Sequence, residues 1–398
     1  MTDIKKCICI PSIILCTVIL YITNLYTPYF RNALTAANYT TGANYITGAN
    51  YRTSANYITA ANNITGANYT TSLTSANYTT SKPSVSIHWS NPPPHIKSLN
   101  FKRWLLHCNC SCVYSDYKNS DIVIFDGNRL QINPPKRAKS SQIWIFHFEE
   151  SPPIAASHAW RHSSWRNQFN RTMSYRLDAD IFAPYGWHEK RQHPLKKNIT
   201  EVMRKKTKLA VILSGHCGVP SARVKYINLL RKYMPVDFYG RCGNMTCDKT
   251  KSHRYCTSKT AETYKFYLSF ENTFCKDYAT EKFFRAEASD IVAVVRGGAN
   301  YSLLSPEKNY IQTSDFNSVE ALANYLKYLD KNETAYVQYL ERKWKYDVYL
   351  QAHGYPEKSD RVLMQRMCDV CKNSRRWLRE KKVYENISDW YEKDICHS

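Results

Sequence analysis

Between residues 209 and 330 the chain alternates short apolar runs with stretches of helical period, and this alternation restricts the fold more than any other feature. The apolar runs are LAVILS, VDFYG, KFYLSF and IVAVV, each short enough for a buried strand and bounded by polar or turn residues. The segment SARVKYINLLRKYM (221–234) between the first two places Val224, Ile227 and Leu230 at helical spacing, with Ser221 as the expected N-cap. A second helix opens at Thr280. In a third, VEALANYLKYLD, Leu322, Tyr325, Leu326 and Leu329 share one face behind a Ser318 cap. Earlier runs, DIVIFDG (121–127), IWIFHF (143–148) and ADIFAPYG (179–186), read as buried strands of a preceding unit. Strand–helix alternation twice over predicts two doubly wound α/β halves, whose ligands sit at strand C-terminal ends and in the cleft between halves.

The amino-terminal stretch has a different character. Cys7 to Phe30 contains no charged residue and is long enough to cross a ~30 Å hydrocarbon core. Lys5 and Lys6 precede it, Arg31 follows it, and no small-residue cleavage motif is evident, so it reads as an uncleaved signal anchor, with a cleaved signal peptide as the alternative. Residues 36–80 repeat Ala-Asn-Tyr-x-Thr at a six-residue step without building an apolar face. A hexapeptide β-helix needs an aliphatic residue at a fixed position. A flexible, glycosylated stem running on through NPPPH (91–95) is therefore favoured. The expected division is a cytosolic tail (1–6), the anchor (7–30), the stem (31–98), two globular domains (99–200 and 201–355) and a C-terminal tail (356–398) containing Cys368-x-x-Cys371.

Asn-x-Ser/Thr sequons at Asn38, Asn63, Asn68, Asn77, Asn109, Asn170, Asn198, Asn244, Asn300, Asn332 and Asn386 fit a lumenal chain. Cys7, Cys9 and Cys16 lie in or beside the apolar span; the other eleven cysteines suit disulfides, and their odd number leaves one free or paired between chains. Short loops point to Cys242 with Cys247 and Cys368 with Cys371. The formal charge of +22 favours anionic partners. Behind a membrane anchor and among sequons, nucleic acid is not an expected one.

Local chemistry concentrates in KFYLSFENTFCKDYATEKFFRA (265–286), where an aromatic strand breaks at Glu271-Asn272 and a helix restarts at Thr280-Glu281-Lys282. Unpaired N–H groups and a lysine at a helix mouth suit a diphosphate. Taken alone, such a Glu-Lys pair is usually solvated charge. In the first half, Glu150 follows a strand and precedes Ser151-Pro152, an arrangement that aims a carboxylate out of the sheet end.

These segments resemble the α1,3/4-fucosyltransferases, inverting enzymes of the Golgi that use GDP-fucose. The matching motifs are Glu150-Ser151-Pro152, FNRTMSYRLDADIFAPYG (169–186), SARVKYI (221–227) with VDFYGR (236–241), and FYLSFEN-x5-DYATEKFFRA (266–286). The resemblance extends over roughly residues 100–372 and implies the two-lobed GT-B fold, a type II Golgi membrane protein and a GlcNAc-containing glycan acceptor; it leaves homodimer formation open. It also implies Glu150 as the base for the acceptor hydroxyl, Lys282 and Arg223 on the diphosphate and Glu281 on the ribose. Tyr267, Glu271 and Asn272 would shape the donor pocket, with Tyr278 packed near the nucleotide. No metal is obligatory, and a divalent ion is at most stimulatory. The reaction implied is transfer of L-fucose to O3 of GlcNAc, with the N-glycan core slightly ahead of outer-arm lactosamine because of YGRCGNMTC (239–247). A membrane-tethered glycan-binding protein that kept the fold and lost the chemistry is the competing class.

Two clusters carry rival readings. Asp178-x-Asp180 could chelate a divalent ion, yet it lies within the 169–186 motif, which the family uses without an obligatory metal. Cys108, Cys110 and Cys112 beside His107 could hold zinc, although disulfides are the commoner fate of lumenal cysteines. The chain also departs from the family pattern at Ala293, where proline is usual, at Ala286-Glu287 in place of Asn-Ala, and at Ser214-Gly215-His216-Cys217, where Gly215 removes a side chain from the nucleotide loop.

Overall fold

The computed structural model describes residues 84–397 apart from 95, 97, 244, 248–252 and 352–355. The anchor, the repeat region and the sequons Asn38, Asn63, Asn68, Asn77 and Asn244 lie outside the described residues. No helix among the described residues is long and apolar enough to cross a membrane.

The first lobe runs β1 (Val85–Trp89), α1 (Ser98–Leu106), β2 (Cys112–Tyr114), β3 (Ile122–Asp126), β4 (Ile143–Phe148), β5 (Arg171–Ser174) and β6 (Ile181–Phe182). Its strands pair in parallel in the order β2-β1-β3-β4-β5-β6. Every residue of β3 and β4 is buried, which is why their sequences are continuous apolar runs rather than alternating ones. Ile124 and Ile145 face one core with Phe101 and Trp104, while Phe125, Trp144, Phe146 and Phe148 face the other with Trp160, Trp165 and Tyr391. Each such side chain stabilises the fold by about 1.5–3 kcal/mol before entropy is counted.

A connecting section, β7 (Gly186–Lys190) and α2 (Ile199–Lys205), leads to the second lobe. This contains β8 (Lys208–Leu213), α3 (Arg223–Leu230), β9 (Val236–Tyr239), α4 (His253–Thr263), β10 (Tyr264–Phe270), β11 (Phe274–Cys275), α5 (Glu281–Glu287), β12 (Val292–Arg296), β13 (Ile311–Gln312), α6 (Val319–Lys331) and α7 (Glu333–Lys343). The parallel order is β13-β12-β10-β8-β9. Leu322, Leu326 and Leu329 of α6 are buried against this sheet, as their spacing requires, and Ser318 caps the helix by accepting from the Ala321 N–H. The chain then returns through β14 (Tyr346–Leu350), antiparallel to β7, α8 (Pro356–Trp377), α9 (Ile387–Tyr391) and β15 (Cys396–His397), antiparallel to β11.

Several expectations change. Val85–Trp89, read as stem, is a strand inside the first sheet, because its alternating Val, Ile and Trp side chains pack beneath α1. The stretch read as a C-terminal tail begins with a 22-residue helix whose Leu363, Met367, Val370 and Trp377 complete the first-lobe core. Ser221 is not the cap of α3. Its hydroxyl donates instead to the Glu271 carbonyl at 2.7 Å, and Ala222 takes the cap position in left-handed backbone at φ 48°. Neither short-loop disulfide forms: Cys242 pairs with Cys217, Cys247 with Cys256, and Cys368 with Cys108. Strand topology brings these distant cysteines together, and loop length in the sequence does not report that. Cys275 pairs with Cys396 across the β11–β15 ribbon.

The departures from the family pattern acquire local reasons. Cys217 ties the Ser214–Cys217 loop to the turn after β9, where Gly240 at φ 106° lies against the Ser214 carbonyl and leaves no room for a Cβ. Glu287 is buried and accepts from or pairs with His188 Nε2 of β7 at 3.0 Å, fastening α5 to the connecting ribbon. Ala293 fills a fully buried ladder position opposite Tyr267, between β10 and β13.

Sequon geometry gives a test. Asn170 is locked in the β4–β5 edge, its Oδ1 accepting from the Trp144 N–H at 2.8 Å and its Nδ2 donating to the Lys382 carbonyl at 2.9 Å, whereas Asn109 and Asn198 are exposed. Glycopeptide mass spectrometry of chain made in a secretory host should find glycan at Asn109 and Asn198 and none at Asn170; full occupancy of Asn170 would contradict this packing.

Candidate active site

The site residues gather where β4 of the first lobe and β10 of the second reach their C-terminal ends. Phe148 is the last residue of β4; Ser151 then caps a 3-10 turn at Pro152–Ile154, whose proline ring presets the turn. Two successive carboxylates leave this bend in different directions. Glu149 Oε1 accepts from Arg366 of α8 at 2.7 Å and from the Gln351 side-chain amide, Nε2, at 2.8 Å. Glu150 Oε2 instead accepts from the hydroxyl of Tyr278, at 2.8 Å, across the junction between lobes. A second junction bond runs beside it, from Thr273 Oγ1 to Ser151 Oγ at 2.8 Å, between two buried hydroxyls. Tyr391 of α9 donates to the Glu150 carbonyl.

Burial raises the Glu150 carboxyl above the ordinary glutamate range; the Tyr278 hydrogen bond and the charge of Lys282 only partly offset it. A carboxylate so placed is a better proton acceptor than a solvated one. At the end of β3, Asp126 is pushed up to about 7, first by burial and then by the neighbouring charge of Glu149.

On the second lobe the first turn of α5 is built around Glu271. This buried carboxylate accepts from the Thr280 N–H at 2.8 Å and from its hydroxyl, so it caps the helix from the preceding strand end. Gly297 permits the approach, since a Cβ there would lie 3.0 Å from Glu271 Cγ and 2.6 Å from the Tyr301 hydroxyl. Lys282 Nζ reaches Thr280 Oγ1 at 2.8 Å, Glu281 at 3.2 Å and Glu271 at 3.3 Å. Burial alone would depress this ammonium, but Glu271 and Glu281 outweigh it and hold Lys282 above its usual value. Burial also disfavours the Glu281 anion, and Lys282 with Arg285 more than reverses that, leaving Glu281 at about 2. The α5 mouth is therefore a fixed cluster of one cation and two anions.

Expected site residues fall into two groups. Glu150, Tyr278, Glu271, Glu281 and Lys282 form one connected cluster. Arg223 is buried instead of open to the cleft, donating to the Phe270 carbonyl at 2.9 Å, to Ser214 Oγ at 2.6 Å and to the His216 carbonyl at 3.0 Å. Its present contacts brace the Ser214–Cys217 loop. Tyr267 is a buried core residue, Asn272 accepts through its carbonyl from the Ser221 N–H, and Tyr278 is held by Glu150. Asp178 and Asp180 do not converge: Arg176 takes the former, while Thr172, Lys382 and Tyr384 take the latter. Ser151 stood in the sequence only as part of the Glu150-Ser151-Pro152 motif, and Thr273, Arg366 and Tyr391 had no role there. Thr273 follows directly on Glu271-Asn272 and was within reach of the motif; Arg366 and Tyr391 lie over 200 residues from Glu149 and Glu150 and carry no local signal.

Comparison with known proteins bears on residues 82–390. The model described as "Fucosyltransferase, N-terminal" matches residues 82–186, and that described as "Glycosyltransferase family 10 (fucosyltransferase) C-term" matches residues 203–390. The chain is 33% identical over 291 residues to the mouse 4-galactosyl-N-acetylglucosaminide 3-alpha-L-fucosyltransferase 9, spanning 71% of this chain and 74% of that protein. It is 31% identical over 280 residues to Alpha-(1,3)-fucosyltransferase C of Drosophila melanogaster, spanning 65% of this chain but only 61% of that relative. Glycoprotein 3-alpha-L-fucosyltransferase A of the same organism is 30% identical and is spanned over 52% of its length. A solved structure described as an alpha1,3-fucosyltransferase with GDP covers 78% of this chain and 96% of its own at 17% identity and a TM-score of 0.48.

The Tyr278–Glu150 bond is directly measurable. In a carboxyl-carbon NMR titration, with Glu150 assigned by its loss in Glu150→Gln, Tyr278→Phe should raise the Glu150 midpoint further, because it removes a donor that favours the anion. An unchanged or lower midpoint would show that the hydroxyl does not bind the carboxylate.

Proposed function

Because the chain belongs to glycosyltransferase family 10, the fucosyltransferases, we propose that it transfers L-fucose from GDP-fucose to a GlcNAc-containing glycan with inversion at the anomeric carbon. The observation that carries this reading is the meeting of a raised carboxyl, Glu150, with the Lys282 cluster on the facing strand end. The two parallel sheets and the junction between them support the GT-B description.

In the reaction, the acceptor hydroxyl oxygen attacks C1 of fucose from the face opposite GDP. The C1–O bond to the β-phosphate breaks, and the hydroxyl proton passes to Glu150. Single displacement turns the β-linked donor into an α-linked product. Lys282 meets the departing diphosphate, exchanging a carboxylate contact for phosphate oxygens, while Glu281 accepts from the ribose hydroxyls. Arg223 acts on the same diphosphate through the loop it braces, and direct contact requires Ser214 and His216 to yield their bonds to it. Basic side chains supply the charge stabilisation, so the divalent ion is at most stimulatory.

Linkage to O3 is supported by the 3-alpha designations of the mouse and Drosophila relatives. Relatives named for 4-galactosyl-N-acetylglucosaminide align at 36% and 33% identity and the one named for glycoprotein at 30%, while YGRCGNMTC is the feature that supports the innermost GlcNAc of N-glycans ahead of lactosamine. The uncharged span at Cys7–Phe30 and the sequons support a type II Golgi membrane protein with its head in the lumen.

The test is fucose transfer by the full chain in detergent, with GDP-fucose and EDTA, offered a core N-glycan in one arm and a lactosamine in the other, with linkage read by NMR. The expected result is an α1,3-fucosylated core product formed in the presence of EDTA. Product only on lactosamine would overturn the acceptor order, and GDP binding without transfer in either arm would point to a glycan-binding protein.

A further inference from the structure

Eleven cysteines lie beyond the amino-terminal span, and four bridges, Cys108–Cys368, Cys217–Cys242, Cys247–Cys256 and Cys275–Cys396, account for all but three of them. The remaining three, Cys110, Cys112 and Cys371, converge with their sulfurs within 4.8 Å of one another. Cys371 has both other cysteines in bonding position, at Cα separations of 6.4 Å to Cys110 and 5.9 Å to Cys112. Both fall in the roughly 4.4–6.8 Å range that a disulfide spans. A sulfur makes only one disulfide, so one member of the Cys110-Ser111-Cys112 pair stays outside the bridge made by the other, directly beside it.

We propose that these three residues form an exchangeable disulfide site, in which Cys371 is shared between Cys110 and Cys112 and the displaced partner is the resident thiol, open to thiol-specific modification. The exchange is balanced within the chain. The Cys112 thiolate attacks Cys371 Sγ in the Cys110–Cys371 bridge, a Cys112–Cys371 bond forms, and Cys110 leaves as the thiolate and takes up the proton that Cys112 released. No external oxidant or reductant is consumed. Cys110 and Cys112 are both partly exposed while Cys371 is buried, so the sulfur that reaches solvent belongs to the C-x-C pair in either isomer.

The site has a structural consequence. Cys371 lies on α8, the helix that also carries Cys368 and presents Arg366 to Glu149 beside the candidate base. Either isomer tethers α8 to the α1–β2 segment, so chemical loss of one C-x-C sulfur leaves a replacement in place. A cluster of three thiolates holding a soft cation is the competing chemistry for the same geometry.

The test labels the full chain, made in a secretory host, with N-ethylmaleimide under denaturing conditions without reductant, with and without prior chelation. Trp104–Lys118 carries Cys108, Cys110 and Cys112, and Met367–Lys372 carries Cys368 and Cys371, so fragmentation within the linked peptide pair assigns each sulfur. The expected result is one label per chain in this cluster, divided between Cys110 and Cys112. Cys110→Ser and Cys112→Ser should each give no label here, a quantitative bridge from Cys371 to the remaining cysteine, and unchanged turnover. Label confined to one position in the unaltered chain, label on Cys371 in either variant, or three labels that appear only after chelation would each overturn the proposal.

Discussion

The hydrogen bond from Tyr278 to Glu150 is the contact on which the site depends, because it joins the strand end bearing the candidate base to the strand end bearing the candidate diphosphate cluster. Its neighbour, Thr273 to Ser151, repeats the connection two residues away from Glu271. The Thr273–Ser151 bond is buried and the Tyr278–Glu150 bond partly so; a hydrogen bond between neutral groups contributes about 0.5–1.5 kcal/mol and one to a charged group about 1.5–3 kcal/mol. A rigid junction of this kind positions two groups from different sheets before any ligand arrives, and such prior positioning is one source of the rate gain of a bisubstrate reaction.

The C-terminal segment reinforces that junction from outside. Tyr391 packs among Phe146, Phe148 and Trp160 and donates to the Glu150 carbonyl, while Arg176 spans to the Trp390 carbonyl and stacks over its ring. A few residues later the Lys276 N–H donates to the Ile395 carbonyl at 2.7 Å, and Cys396 bonds Cys275. One short stretch thus grips the bend of the first lobe that carries Glu150 and the strand that follows Asn272 in the second. Together with α8, which neutralises Glu149 through Arg366, it leaves Glu150 as the carboxylate of the pair without a guanidinium partner among the described residues.

The strands were legible because β3, β4 and β10 are buried along their length and β8 and β12 through their centres, so they read as continuous apolar runs, and α6 was legible from its leucine spacing and Ser318. β1 was hidden by the low-complexity repeat before it, and α8 by a mean composition too polar to stand out until its packing against Phe101 and Trp104 is known. Within the site, Glu150, Glu281 and Lys282 were readable as a carboxylate after a strand and a charged helix start. The burial of Arg223 was not, since its partners, the Phe270 and His216 carbonyls and the Ser214 hydroxyl, are brought together by the ends of β8 and β10 and by the Cys217–Cys242 bridge. Disulfide partners were equally unreadable: proximity there is set by sheet order, as Cys108 with Cys368 shows across 260 residues.

The central claim is that the two strand ends divide the chemistry, with Glu150 taking the proton and Lys282 holding the diphosphate. Calorimetric affinity for GDP paired with single-turnover transfer, measured on Glu150→Gln and Lys282→Ala, tests it most directly. The account predicts that Glu150→Gln binds GDP as the unaltered chain does and loses transfer by about 10²–10⁴-fold. It predicts that Lys282→Ala weakens GDP binding by roughly 10–100-fold, the loss of one charge-assisted contact. Near-normal transfer by Glu150→Gln, or undiminished GDP affinity in Lys282→Ala, would contradict it.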